Sequence, residues 1–349
     1  MKRQYAFLSL LLLSITFAAV ISSCKDPLDV NDPQFGNSSQ SQRFLKIAET
    51  SSSVNSFTPN YSEDQAMALA GTLGKDLYPV RIGQKMKLVD KNLTLVKDST
   101  TAVGTLVQTF EGTLIIEGSF QQPTIGIRSH VDTTIQKSFS STITRKIQFK
   151  KIANTGNDTL DWKVNAVSLP NGGTTGDNIQ IVKISLTTQD GTEVVIEDPN
   201  AYFFKVGKDN RGHGHDDDDA EDDDDQDNHN LELGFGIWSH NWNNLLTWYK
   251  KNQPVKLTVE ILSKSSDPDF LTVTYGAMMN GNTGTKEKFD LVSSTLVGLS
   301  YKKVYERRWY TNSHATRMHA VINALPRSVV YDTDTSVEEK TWGIPYRVK

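Results

Sequence analysis

The chain has 349 residues, of which 37% are hydrophobic, and a net charge of −4. That length suits two domains or one large β-domain, and a single cysteine excludes any internal disulfide. Ten acids and no lysine or arginine lie between Gly212 and Asn230, so the rest carries +6, or +4 without Lys2 and Arg3, too little for a nucleic-acid binder.

Lys2 and Arg3 precede an apolar stretch, Ala6 to Ile21, broken only by Ser9, Ser14 and Thr16. A charged start followed by a short apolar core reads as an export signal over residues 1–23. The run falls short of the roughly 20 residues that span a bilayer comfortably. It ends in Ile21-Ser22-Ser23-Cys24, which resembles the lipobox of bacterial lipoproteins. The resemblance implies acylation of Cys24 and attachment to a membrane through lipid, which removes the thiol as a nucleophile. Lys25-Asp26-Pro27-Leu28-Asp29 resembles the surface-export signal of Bacteroidota-type lipoproteins, although Pro27 separates its acids. It implies an outer-membrane, surface-displayed protein. Residues 24–60, rich in Ser, Gln and Asn, read as a flexible tether with room for a short helix at Phe44 to Ala48.

Ser62-Glu63-Asp64-Gln65 ahead of Ala66, Met67, Leu69 and Ala70 has the form of a capping box opening a helix. Strand signals then take over. Lys85 to Val89, Leu93 to Val96, Gly104 to Phe110 and Thr113 to Phe120 are β-type runs. Ile143, Ile147 and Phe149 alternate with Thr144, Lys146, Gln148 and Lys150, and Trp162, Val164 and Ala166 share a face after a dense turn at 154–158. Asp190-Gly191 between Ile179 to Leu186 and Val194 to Ile196 is a hairpin cue. Val255, Leu257, Val259 and Ile261 alternate in the second half, followed by Leu271, Val273 and Tyr275 and by Phe289 to Val292. The fold class is mainly β: one or two antiparallel, Ig-like β-sandwich domains with a few short helices. Residues 61–208 form one sandwich, 209–230 an acidic loop, and 231–349 a second β-rich domain or the other half of one sandwich. Two segments have helical spacing: Trp238, Trp242, Leu245, Leu246 and Tyr249, and then Met318, Val321, Ile322 and Leu325.

The acidic strip holds His213, His215, Asp216, Asp217, Asp218, Asp219, Glu221, Asp222, Asp223, Asp224, Asp225, Asp227 and His229. Self-repulsion favours a solvated loop. Its carboxylates suit Ca²⁺ or another divalent cation, and its imidazoles suit Zn²⁺, Ni²⁺ or Cu²⁺. No EF-hand fits: starting at Asp223 puts Asn228 at the glycine position and Gly234 at the bidentate glutamate position. Trp238, Trp242 and Trp248, among Asn241, Asn243 and Asn244, offer a glycan platform if exposed and a core stripe if helical. Lys302, Lys303, Arg307 and Arg308 read as a solvated strand face, and His314 and His319 as ordinary polar positions. No G-x-S-x-G, H-E-x-x-H, Walker or G-x-G-x-x-G motif occurs. The reading is a cell-envelope lipoprotein with a non-catalytic binding or structural role toward an envelope protein or glycan partner; divalent-metal binding by the 213–229 loop and glycan binding at the surface are the two alternatives.

Overall fold

The structure, a computed structural model, describes residues 39–55, 67–68, 78–122, 130–187, 191, 193–206, 248–278, 284–311, 316–332 and 336–348. Cys24, His213 to His229, Trp238, Trp242 and His314 lie outside the described residues. The helices are α1 (Ser39–Thr50), α2 (Ser52–Asn55), α3 (Asp158–Asp161) and α4 (Arg327–Tyr331). The strands begin with β1 (Met67–Ala68), β2 (Tyr78–Lys97), β3 (Thr101–Ser119), β4 (Thr133–Lys151), β5 (Trp162–Ser168) and β6 (Asn171–Gly173). Next come β7 (Ile179–Thr187), β8 (Glu193–Ile196), β9 (Phe203–Lys205), β10 (Trp248–Tyr249), β11 (Pro254–Ser263) and β12 (Phe270–Met278). The last are β13 (Thr285–Lys288), β14 (Asp290–Val297), β15 (Ser300–Tyr310), β16 (Thr316–Leu325) and β17 (Lys340–Val348).

The chain is mainly antiparallel β, in two open sheets with a sandwich-like arrangement. The larger sheet runs β1-β2-β3-β4-β6-β17-β16-β12-β13, with β5 beside β4, β9 beside β5, and β10 parallel to β17. The smaller runs β14-β15-β11-β7-β8. Strands from before residue 206 and after residue 248 share both sheets.

The runs read as separate short strands fuse into β2 and β3, of 20 and 19 residues. No turn interrupts them. A register shift between Leu88 and Asp90 keeps Leu88 and Leu93 on one face, opposite Phe110 and Leu106. The tight connection to β3 is built by Asp98. Its carboxylate accepts from the N–H groups of Thr100 (2.8 Å) and Thr101 (2.7 Å), which holds its pKa below the ordinary value.

The larger sheet curls until β1 and β13, its two ends, come within 8 Å Cα to Cα. As a result β2, β3 and β4 cover the far face of β12 and β16. Ile82, Leu114 and Ile116 pack with Phe270 and Leu325, and Met86, Phe110 and Ile143 pack with Val321. The near face of the same strands meets the smaller sheet: Leu271, Ile322, Ile344 and Trp342 join Val255, Leu257, Val259 and Ile261 in the main core. β6 is the joint between the two parts of the sheet, pairing with both β4 and β17. Only glycine fits there. A Cβ on Gly172 would sit 1.9 Å from the Thr142 carbonyl oxygen, and Gly173 has φ +143°.

Four expectations are corrected. The spacing of Val321, Ile322 and Leu325 comes from a strand buried on both faces, which erases the alternation that marks a half-buried strand. Trp248–Tyr249 pairs with Arg347 and Val348 as a strand, not as the end of a helix. Met67–Ala68 pairs with Ile82 and Arg81 in place of a capped helix. The short helix at Phe44 to Ala48 is present within α1, but the segment 39–55 is no loose tether there, since Phe44 is fully buried against Phe149 and Trp162 at ring-centroid distances of 4.9 and 5.3 Å.

Candidate functional site

Strand parity aims a set of polar side chains into the curl of the larger sheet. Gln84 on β2, Ser141 and Arg145 on β4, Asn323 and His319 on β16, and Thr341 on β17 are all buried. They share the face that carries Met86, Ile143 and Val321. The Thr341 hydroxyl donates to Asn323 Oδ1 (2.7 Å), Asn323 Nδ2 to Gln84 Oε1 (3.1 Å), and Gln84 Nε2 to Glu339 Oε2 (2.5 Å). This chain crosses from β17 through β16 to β2, strands far apart in sequence.

Glu339 is fully enclosed, and burial pushes its carboxyl pKa above the ordinary value against the pull of Ser141, Gln84, Lys286 and Lys340. Lys286 on β13 is half-buried as a residue. Desolvation of its ammonium lowers its pKa to about 8, with Glu339 opposing the shift. His319 is lowered to about 4, first by burial and then by Arg145, so its imidazole is neutral at pH 7. The cluster combines a carboxyl and an ammonium of shifted pKa with a neutral imidazole. The hydrogen-bonded chain through it ties the curl together.

The basic cluster is corrected at Lys303. Lys303 is fully buried, paired with Asp269 at 2.7 Å, and donates to the Asp267 carbonyl. Lys302 pairs with Glu260 (2.6 Å), Arg308 with Glu306 (3.0 Å), and Arg307 with Glu287. Lys302 and Arg308 are exposed on the face of β15, as the sequence reading expects, whereas Arg307 is half-buried and pairs across to β13 of the larger sheet.

Among the described residues, two of the surface clefts are notable. One, of 680 Å³, lies over Lys85, Lys87, Glu111 and Ser138 on the outer side of β2, β3 and β4. The other, of 490 Å³, lies between α1 and β5, with Lys46, Ser51, Lys163 and Asn165 over Ile47 and Trp162. A third surface feature is the edge strand β14, exposed along its whole length. Among the described residues, no group of three or more His, Cys, Asp or Glu is placed to hold a metal ion. Among them too, no helix is long and apolar enough to cross a membrane.

Sequence reasoning missed the polar interior, although one signal was present. Lys137, Ser141 and Arg145 occupy the same alternating positions as Ile135, Ile143, Ile147 and Phe149. Polar residues in an apolar register mark a buried polar network. No protein-family model, curated protein or solved structure matches the chain.

Proposed function

We propose that the chain is a lipid-anchored protein of the cell envelope, displayed at the outer membrane, with a non-catalytic binding or structural role. The observation that carries this is Ile21-Ser22-Ser23-Cys24 behind a charged start and an apolar core. The described body supports a structural role. Its buried charges serve the fold: Lys303 clamps Asp269, Arg145 binds backbone carbonyls, and Lys137 donates to the carbonyl of Val329 (2.8 Å). Feeding producing cells an alkyne-tagged fatty acid tests the anchor. Label on the parent that disappears in Cys24→Ala, with release of the chain from the membrane fraction, is the expected result. Unlabelled parent chain overturns the reading.

A second reading rests on the ten acids and three histidines of residues 213–229, which suit a divalent cation. Calorimetry with Ca²⁺ and with Zn²⁺ compares the parent with a chain lacking 212–230. A defined stoichiometry that vanishes on deletion supports a site. Weak uptake that fades smoothly with added salt refutes it.

A further inference from the structure

We propose that β14 is the interface for a second copy of this chain, joined by antiparallel strand pairing across a two-fold axis at Ser294. β14 pairs with β15 on one side, and among the described residues nothing pairs with its other side. Exposed edges are normally blunted by charge, proline or shortness. The opposite edge of the same sheet obeys this rule: β8 has four residues, begins at Glu193 and is followed by Glu197 and Asp198. β14 does not. From Leu291 to Leu299 it has no charged residue and no proline, and Val292, Leu296, Val297 and Leu299 are 61, 60, 54 and 96% exposed.

The sequence of the strand selects the occupant. Leu291-Val292-Ser293-Ser294-Thr295-Leu296-Val297 reads nearly the same in both directions. In an antiparallel register centred on Ser294, Val292 of one copy faces Leu296 of the other, Ser293 faces Thr295, and Ser294 faces its own equivalent. Apolar pairs and hydroxyl pairs are both favourable across strands. A two-fold axis uses the same patch twice and closes after two copies. Charge agrees with this direction. Asp290, the only charged residue of the strand, sits at one end with its side chain 82% exposed. Antiparallel pairing keeps the two copies of Asp290 apart, whereas parallel pairing sets them side by side. A lipid surface fits less well. Leu296, Val297 and Leu299 flank the Gly298 turn, but hydrocarbon cannot satisfy the row of backbone N–H and C=O groups that the free edge presents.

The inference goes beyond the anchoring reading and stands without it, because its test uses the full chain carrying Cys24→Ser. In that background Ser294→Cys supplies the only thiol. Directly opposed strand residues place their Cα atoms about 4.5–5.5 Å apart, within disulfide reach. Mild oxidation is expected to give at least tenfold more linked dimer for Ser294→Cys than for Ser140→Cys, an exposed control on the outer side of β4. By sedimentation, Ser294→Lys, which sets two ammonium groups face to face, is expected to be monomeric at a concentration where the parent is dimeric. Far-ultraviolet circular dichroism of this variant should match the parent. Equal linking of the two thiols overturns the proposal. So does a parent that stays monomeric at about 100 μM, where micromolar association is visible, whether or not it binds phospholipid vesicles.

Discussion

Arg145 is a buried cation held by carbonyl oxygens. Its guanidinium donates to Val54 (2.7 Å), Ser168 (3.2 Å) and Ser53 (3.4 Å), and burial lowers its pKa to about 9. It fastens α2 to the inside of β4. Arg145→Met removes the donors and leaves those oxygens without them, so a loss of about 3 kcal/mol is expected in urea unfolding. A loss below about 0.5 kcal/mol would show that the contacts add nothing. Two neighbouring groups give stability opposite dependences on pH. The folded His319 refuses a proton that the unfolded chain accepts between pH 6.5 and about 4, so stability falls as pH falls through that window. The folded Glu339 keeps a proton that the unfolded chain releases above 4.5, so stability falls as pH rises through the raised value. The two slopes oppose each other above pH 4.5. Glu339→Gln preserves the acceptor for Gln84 and removes one slope, so its loss on acidification is steeper than the parent's. The His319 contribution to that loss is at most about 3 kcal/mol. Thermal midpoints from pH 4 to 7 provide the check, and parallel curves for parent and variant would sink it.

Among the elements, α1 and β6 are small pieces on which large ones depend. Phe44 closes one end of the main core against Phe149 and Trp162. Phe44→Ala should therefore cost about 3–5 kcal/mol in chemical unfolding. Gly172→Ala forces a methyl against the backbone of β4, with Thr142 O at 1.9 Å and Ile143 Cα at 2.8 Å. Backbone cannot rotate away as a side chain can, so a loss above about 3 kcal/mol is expected, beyond ordinary overpacking. A thermal midpoint within a degree of the parent's would contradict this account of the joint. The same elements show what the sequence made legible. The alternation along Val255 to Ile261 matches the burial of β11 residue by residue, and β7 and β8 do pair as a hairpin, with φ +84° at Gly191 between them. Helical spacing misled at β16 because both of its faces are covered. Alternation reports that one face is dry; it says nothing about a strand that is dry on both. The polar chain from Thr341 to Glu339 was not legible, because its members are joined only by the curl of the sheet.

For the molecule as a whole, the question is whether the segment at residues 209–230 divides two folding units. The composition suggests a division there, but the packing crosses it. The main core includes Phe44, Leu106, Ile147 and Ile184 from before the segment, and Leu257, Tyr305, Ile322 and Tyr346 from after it. The smaller sheet takes β7 and β8 from one side and β11, β14 and β15 from the other. A fragment ending at residue 208 would expose the β7 edge that pairs with β11, together with the apolar face of β2 to β4 that Val321, Phe270 and Leu325 cover. Apolar surface of that extent, left in water, removes much of what offsets chain entropy. The whole chain should therefore unfold in one transition, with equal calorimetric and van't Hoff enthalpies. Fragments 1–208 and 231–349, made separately, should show no cooperative transition and should bind a dye specific for exposed apolar surface. Co-expression should restore a single transition, since the missing faces are supplied in trans. Cooperative melting of either fragment alone would mean that one sheet carries enough core by itself, and that the segment at 209–230 is a true boundary.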